Sequence, residues 1–206
     1  MVQQRSEART AVDGRRTVEK KREILRAASV VFRRHGLHAA GMREIAAEAG
    51  MHAGNLYYYF ENKQALLAFC QQDSLAHLQR MAEEVMAAEP LADRRLHRLI
   101  VEHVRILNDS VPGSLAHLEV EALEPPWRHQ IQQLRDRYEA AFRSVIQLGV
   151  EAGVFRETDA KVAALMILGA LNWTVKWYQP GGRRSADSIG EEFAELLVRG
   201  LLADRS

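Results

Sequence analysis

Residues 36–67, GLHAAGMREIAAEAGMHAGNLYYYFENKQALL, confine the fold more tightly than any other stretch of this chain. They read as two short helices, at about 42–49 and 53–59, around a turn at Gly50, followed by a longer helix that Asn62 caps. Ile45, Ala46 and Ala49 offer a small apolar face that a second helix can cross closely, and Gly50 supplies the sharp turn. Leu56 and Phe60 stand four residues apart and face inward. Tyr57 and Tyr58 lie about 100° and 200° around the helix from Leu56, so they cannot both share its face. At least one projects outward. Tyr59 borders the buried face and reads as structural.

The flanks extend the helical pattern. Ile24, Leu25, Ala28, Val31 and Phe32 mark one buried face of a helix that Thr17 can cap and that His35-Gly36 ends. Beyond Asn62, Leu66, Leu67, Cys70, Leu75, Leu78 and Met81 keep helical spacing as far as the break at Glu89-Pro90. Further helices are predicted at about 92–109, 113–122, 127–152, 158–178 and 185–203. Their breaks fall at Val111-Pro112-Gly113, Pro125-Pro126, Gly153 and Pro180-Gly181-Gly182. No strand alternation or fixed-period repeat interrupts them. An all-α protein of about nine helices follows, with a basic flexible arm at 1–16, a compact unit at 17–68 and a larger domain at 69–206.

The 206 residues include one cysteine, Cys70, which excludes an intramolecular disulfide and fits a reducing cytoplasm. The first 23 residues are polar and carry no secretory signal. The longest nearly apolar run, Val162 to Val175, spans 14 residues and falls short of a bilayer. Charge is uneven: residues 1–70 hold 12 Lys+Arg against 7 Asp+Glu, and the remainder 16 against 20. A basic first third suits contact with a polyanion.

The residues around the tyrosines say which polyanion. His52, Ala53, Gly54 and Asn55 form the small, polar N-terminal turn that a recognition helix points at base edges. Asn55 can donate to phosphate or read adenine, and exposed tyrosines suit phosphates and base edges. Lys63 sets a cation at a helix N-terminus, which is unfavourable unless a phosphate sits there too. Together these features favour DNA.

Here the chain resembles the tetracycline-repressor (TetR) family of bacterial regulators. The likeness rests on Ile24-Leu25, Ala27-Ala28, Phe32, Gly36, Met42-Arg43-Glu44-Ile45-Ala46, Ala49-Gly50, Gly54-Asn55-Leu56-Tyr57, Phe60, Lys63 and Leu66-Leu67. It implies that Arg43, Ala53, Gly54, Asn55, Tyr57, Tyr58, Tyr59 and Lys63 lie at the DNA surface. One departure matters: Ala40-Gly41 stands where relatives carry a capping Thr or Ser, so that phosphate contact is lost and Gly41 caps poorly.

The resemblance also implies a C-terminal domain for dimerisation and effector binding. The helix at about 158–178 is apolar nearly all round, so it needs burial against its own domain and against another chain. The helix at about 185–203, with Phe193, Leu196, Leu197, Val198 and Leu201, is the second candidate for that partner face. Trp173 and Trp177 share a face, and their pattern resembles a TetR subgroup that answers acyl-coenzyme A thioesters. Stacking on adenine would suit these tryptophans, and Lys176 or Arg135 could meet phosphate; core or dimer packing is the competing account. His103, His117 and His129 lack metal-ligand spacing, and no catalytic motif stands out, so no metal, cofactor or catalysis is expected.

The sequence thus predicts a cytoplasmic homodimeric repressor on a palindromic operator, released by a small molecule, with no role at a membrane. Two alternatives stay open: a sequence-tolerant DNA-coating protein without effector, and a helical ligand-binding enzyme.

Overall fold

The computed structural model describes the backbone of residues 2–111 and 114–203, and the side chains of 16–111, 114 and 116–203. The described residues form eight α-helices and no sheet: α1 (Val2–Ala39), α2 (Met42–Glu48), α3 (Ala53–Tyr59), α4 (Lys63–Ala88), α5 (Ala92–Arg105), α6 (Pro125–Glu151), α7 (Ala160–Trp177) and α8 (Ala186–Arg199). None is long and apolar enough to cross a membrane.

Four local outcomes differ from the sequence reading. Helix α1 begins at Val2 rather than Thr17, because the arm's Gln, Glu, Ala and Arg residues are good helix formers. The arm's side chains up to residue 15 lie outside the described residues. Pro125-Pro126 opens α6 instead of breaking the chain, since the first helical positions have amides with no intrahelical partner to lose. Helix α5 runs on into a π-helical turn, Ile106–Ser110. The predicted helix at 113–122 is two 3-10 turns, Ser114–Leu118 and Val120–Ala122. The break foreseen at Pro112-Gly113 lies outside the described residues.

The physical reason for the 3-10 turns is visible in their carbonyls. Arg135 donates to the His117 oxygen (2.8 Å), Gln71 to Glu119 (3.4 Å) and Gln64 to Ala122 (2.8 Å). Arg128 donates to both Glu121 (2.8 Å) and Leu123 (3.0 Å). Side chains from α4 and α6 thus satisfy acceptors that α-helical amides would otherwise take.

Caps and close approaches hold the helices in place. Asn62 Oδ1 accepts from the Ala65 amide at 2.8 Å, which fixes the start of α4 as the sequence predicts. Gly36 has φ 79° and ψ 159°, a conformation for glycine alone, and kinks α1 where the helix was read to end. At Gly190 the backbone of α8 lies so near α5 that an added Cβ would stand 3.0 Å from the Val101 Cα.

Two apolar cores result. The first gathers Ile24, Leu25, Phe32, Ile45, Leu56 and Phe60 with the early residues of α4. It also takes in Ala116, Val120 and Leu123 from the 3-10 segment. The second packs the later part of α4, from Leu78, against α5, α6, α7 and α8. Helix α4 leaves one core and enters the other between Leu75 and Leu78.

Candidate functional site

The helix-turn-helix is assembled from α2 and α3. After α2 the Gly50 amide donates to Ala47 and the Met51 amide to Ala46, both at 3.0 Å, while Gly50 takes φ 64°. This is the tight exit that the sequence required of Gly50. Gly41 caps α2 without a side-chain hydrogen bond, the weak cap foreseen there. Ion pairs fix α2 against α1: His35 with Glu44 at 2.8 Å and Arg34 with Glu48 at 3.5 Å. Arg43 makes no ion pair among the described residues and stays exposed.

Helix α3 separates its faces as its period demands. Leu56 and Phe60 are buried, whereas Tyr57 is 48% and Tyr58 81% exposed. His52, Gly54 and Asn55 are exposed, and Ala53 sits half-buried against the core. Tyr59 packs partly on the core, its ring edge-on to Tyr58 with centroids 5.2 Å apart. Lys20 of α1 joins His52, Asn55, Tyr58 and Tyr59 around a surface depression of about 500 Å³. Its part there escaped the sequence reading because α1 is distant from α3 along the chain.

Lys63 is answered in a way the sequence did not suggest. Its Nζ donates to the His38 carbonyl at 3.0 Å, in the last turn of α1. Carbonyls at a helix C-terminus carry partial negative charge, so the misplaced cation already has a partner within the chain. Partial burial lowers its pKa. Two further N–H donors of the ammonium remain.

In the C-terminal part, the four residues singled out for an effector separate. Arg135 lines a cavity of about 660 Å³ walled by α4, α6, α7 and the 3-10 segment. Trp173 and Trp177 do not line it; they are 60% and 46% exposed on the outer side of α7. Lys176 pairs with Glu119 at 3.3 Å. The cavity instead draws on His117, which the sequence leaves as a surface or cavity residue, and on Tyr138, Arg143, Lys161 and Asn172.

The inner wall is polar but sealed. His103 Nδ1 and the Tyr138 hydroxyl are 2.9 Å apart, both residues fully enclosed. Burial lowers the His103 pKa to about 3 and holds His117 well below the usual imidazole range. Both rings are therefore neutral near pH 7.

Helix α7 has two apolar faces, as its sequence requires. Ala163, Ala164, Ile167, Leu168 and Leu171 are buried inward. Val162, Met166, Trp173 and Trp177 run along the outer side, the Trp177 ring lies 6.4 Å from that of Phe193, and Leu196 of α8 is also exposed. The reading of α8 needs correcting: Val198 and Leu201 belong to the chain's own core, because α8 turns that side toward α5. Phe193 and Leu197 pack partly against the same core, which leaves Leu196 as the outward residue.

Known proteins share this arrangement. Residues 24–69 match the family described as bacterial regulatory proteins, tetR family, and residues 90–201 match the tetracyclin repressor-like C-terminal domain. The HTH-type transcriptional repressor KstR2 of Rhodococcus jostii is 27% identical over 191 residues, covering 91% of each chain. The structure of the regulator PfmR from Thermus thermophilus superposes with a TM-score of 0.79 at 29% identity, over 87% of this chain and 99% of that one. AibR, solved with isovaleryl coenzyme A and operator DNA, shares the fold with a TM-score of 0.75 at 22% identity, over 89% and 98%. The chain belongs to the TetR family of transcriptional regulators.

Proposed function

We propose that this repressor acts as a homodimer that reads a palindromic operator with α3 and releases it when an acyl-coenzyme A thioester enters the C-terminal cavity. The observation that carries the DNA half is the division of α3: Leu56 and Phe60 hold it, while Asn55, Tyr57 and Tyr58 stand free on one exposed side. The N-terminal turn, His52 to Asn55, meets base edges, Arg43 and Lys63 meet phosphates, and Tyr59 supports Tyr58. Two readers in adjacent major grooves require a spacing near one helical turn, roughly 34 Å.

The dimer half rests on the outer stripe of α7 with Leu196 of α8. Exposed apolar side chains of this kind are costly in a monomer and mark an interface. Trp173 and Trp177 serve that face, and Arg135 serves the effector. The thioester class is favoured by AibR, whose structure holds isovaleryl coenzyme A, and by a cavity that combines apolar walls with Arg135, Arg143 and Lys161. Work on operator DNA sets the protein in the cytoplasm. The effector acts only through a difference in affinity for the DNA-bound and free arrangements.

Footprinting on the promoter beside this protein's own gene tests the whole reading. Protection with dyad symmetry, lost on adding isovaleryl-coenzyme A or another thioester, is the expected result. Asymmetric protection, or equal binding to random duplex, would turn the reading toward a sequence-tolerant coating protein. Sedimentation of Met166→Glu should give a monomer that binds operator weakly.

A further inference from the structure

The cavity that Arg135 lines has an inner end more specific than a thioester alone requires. His117 is buried with no well-formed hydrogen bond to Nδ1, and the buried Asn172 Oδ1 faces both His117 and His103. His103 has Nδ1 engaged with Tyr138, and its Nε2 makes no well-formed hydrogen bond. These three groups satisfy one another only loosely, and a polar ligand group at this end would complete hydrogen bonds that an alkyl chain would leave poorly formed.

Charge points the same way. Arg135 spends one N–H on the His117 carbonyl, 2.8 Å away, and has no carboxylate within ion-pair distance among the described residues. Asp136, its neighbour, accepts from Gln132 at 2.7 Å. Glu139 faces a different arginine, Arg143, at 3.9 Å, and its own Oε1 is buried without a hydrogen bond. Burial keeps His103 and His117 neutral, and although Asp136 and Glu139 also line the cavity, neither pairs with Arg135 among the described residues. A guanidinium with free N–H groups pairs with a planar oxyanion at best geometry.

The source of that oxyanion follows from enclosure. Coenzyme A phosphates carry several charges and bulk, which suits the outer rim where Lys161 and Arg143 are solvent-accessible. Leu75, Leu168 and Tyr138 of the cavity lining are buried and Arg135 is half-buried, with Gln132, Asp136 and Glu139 lining the cavity from the same helix. One singly charged group fits there.

We propose that the inner end of the cavity is a carboxylate subsite, so that the effector is a carboxyl-terminated acyl thioester whose distal carboxylate pairs with Arg135 and accepts a hydrogen bond from His117. Asn172 turns its amide to present Nδ2 to the same group. The acyl chain crosses the apolar walls, and the coenzyme faces the rim. This inference rests on the thioester reading of the cavity.

Titration calorimetry on the full-length protein compares glutaryl- and adipyl-coenzyme A with valeryl- and hexanoyl-coenzyme A, chain by chain. The carboxyl-terminated member of each pair should bind roughly tenfold to a hundredfold more tightly, the range expected of a charge-assisted hydrogen-bonded pair. Arg135→Gln should erase the difference within each pair, whatever common change in affinity follows from losing its hold on the His117 carbonyl; Arg135→Lys should retain part of that difference. His117→Ala should narrow it without touching the guanidinium. Circular dichroism melts establish that each variant is folded.

Equal binding of the matched thioesters to the wild type overturns the subsite and leaves the thioester reading standing. Arg135→Gln weakening every thioester and free coenzyme A alike, with the preference within each pair intact, also overturns it. If no thioester binds but adipate protects the wild type from heat and not Arg135→Gln, the subsite stands and the thioester reading falls. If adipate fails as well, both fall.

Discussion

The DNA-reading unit and the effector cavity are built on opposite plans. The reader draws its exposed residues from a short stretch, with the period of one helix dividing support from contact at Leu56, Tyr57, Tyr58 and Phe60. The cavity collects Leu75, His117, Arg135, Lys161 and Asn172 from four elements spread over a hundred residues. The reader keeps its polar groups on the outside; the cavity buries His103, His117 and Tyr138 inside. A local site can be rigid and general across a family. A site assembled from distant walls can change its ligand by changing one wall at a time.

The hardest way to break the contrast is to remove the reader's support. Leu56→Ala should cost about 2–5 kcal/mol of stability and abolish operator binding, because the residue is fully enclosed. Denaturant unfolding with an operator-binding assay checks this. A loss under 1 kcal/mol would show that α3 is held by something other than its apolar face.

Acid should act on the other region. The folded pKa of His103 is depressed, to about 3, and that of His117 also lies well below its usual value. Unfolded histidines take up protons as pH falls through about 6.5, while these two stay neutral in the fold. Their contribution is therefore complete above that pH and is lost on acidification, at about 1.4 kcal/mol per pH unit for each histidine, down toward the folded pKa. Melting between pH 7 and pH 5 should show this slope. His117→Asn should reduce it, and a slope unchanged in that variant would contradict the account.

Tyr58 sharpens the comparison from the reader's side. At 81% exposure it adds little to the fold, so Tyr58→Ala should shift stability by no more than about 0.5 kcal/mol. Operator affinity should fall by roughly fivefold to thirtyfold, the loss of one or two hydrogen bonds to DNA, as read by fluorescence anisotropy. The smallest expected effect belongs to Lys63. Lys63→Ala should lower the salt slope of DNA binding by about one phosphate contact and weaken all duplexes alike. Because Lys63 also holds the His38 carbonyl, an unchanged slope with reduced stability would assign it to joining α4 to α1.

Legibility in the sequence followed the same division. The Asn62 cap, the turns at Gly36 and Gly50 and the inward pair Leu56 and Phe60 were all readable, since each depends on neighbours within one or two turns. Both faces of α7 were readable from its period, and so was the need for something to cover the outer one. The cavity was not. His117 reads from the sequence as an ordinary surface or cavity residue, and the choice between the two depends on the 3-10 segment packing onto α4 and α6. Trp173 and Trp177 stand out by their shared face, their chemistry and a family resemblance, but their direction is set by which side of α7 the core occupies. The partner of Lys63 was hidden for the same reason: His38 is 25 residues away.

The 3-10 segment has a consequence for how this chain can diverge. Connections between helices ordinarily absorb insertions and deletions with little penalty. Here the oxygens of His117, Glu119, Glu121, Ala122 and Leu123 are gripped by four side chains from α4 and α6. Adding or deleting a single residue would slip every grip that follows it and pull Val120 and Leu123 out of register with the reader's core. Length is therefore frozen between Ser114 and Glu124, while side chains pointing into the cavity remain free to vary. Descendants of this chain can acquire new ligands by substitution in that segment, but hardly by changing its length.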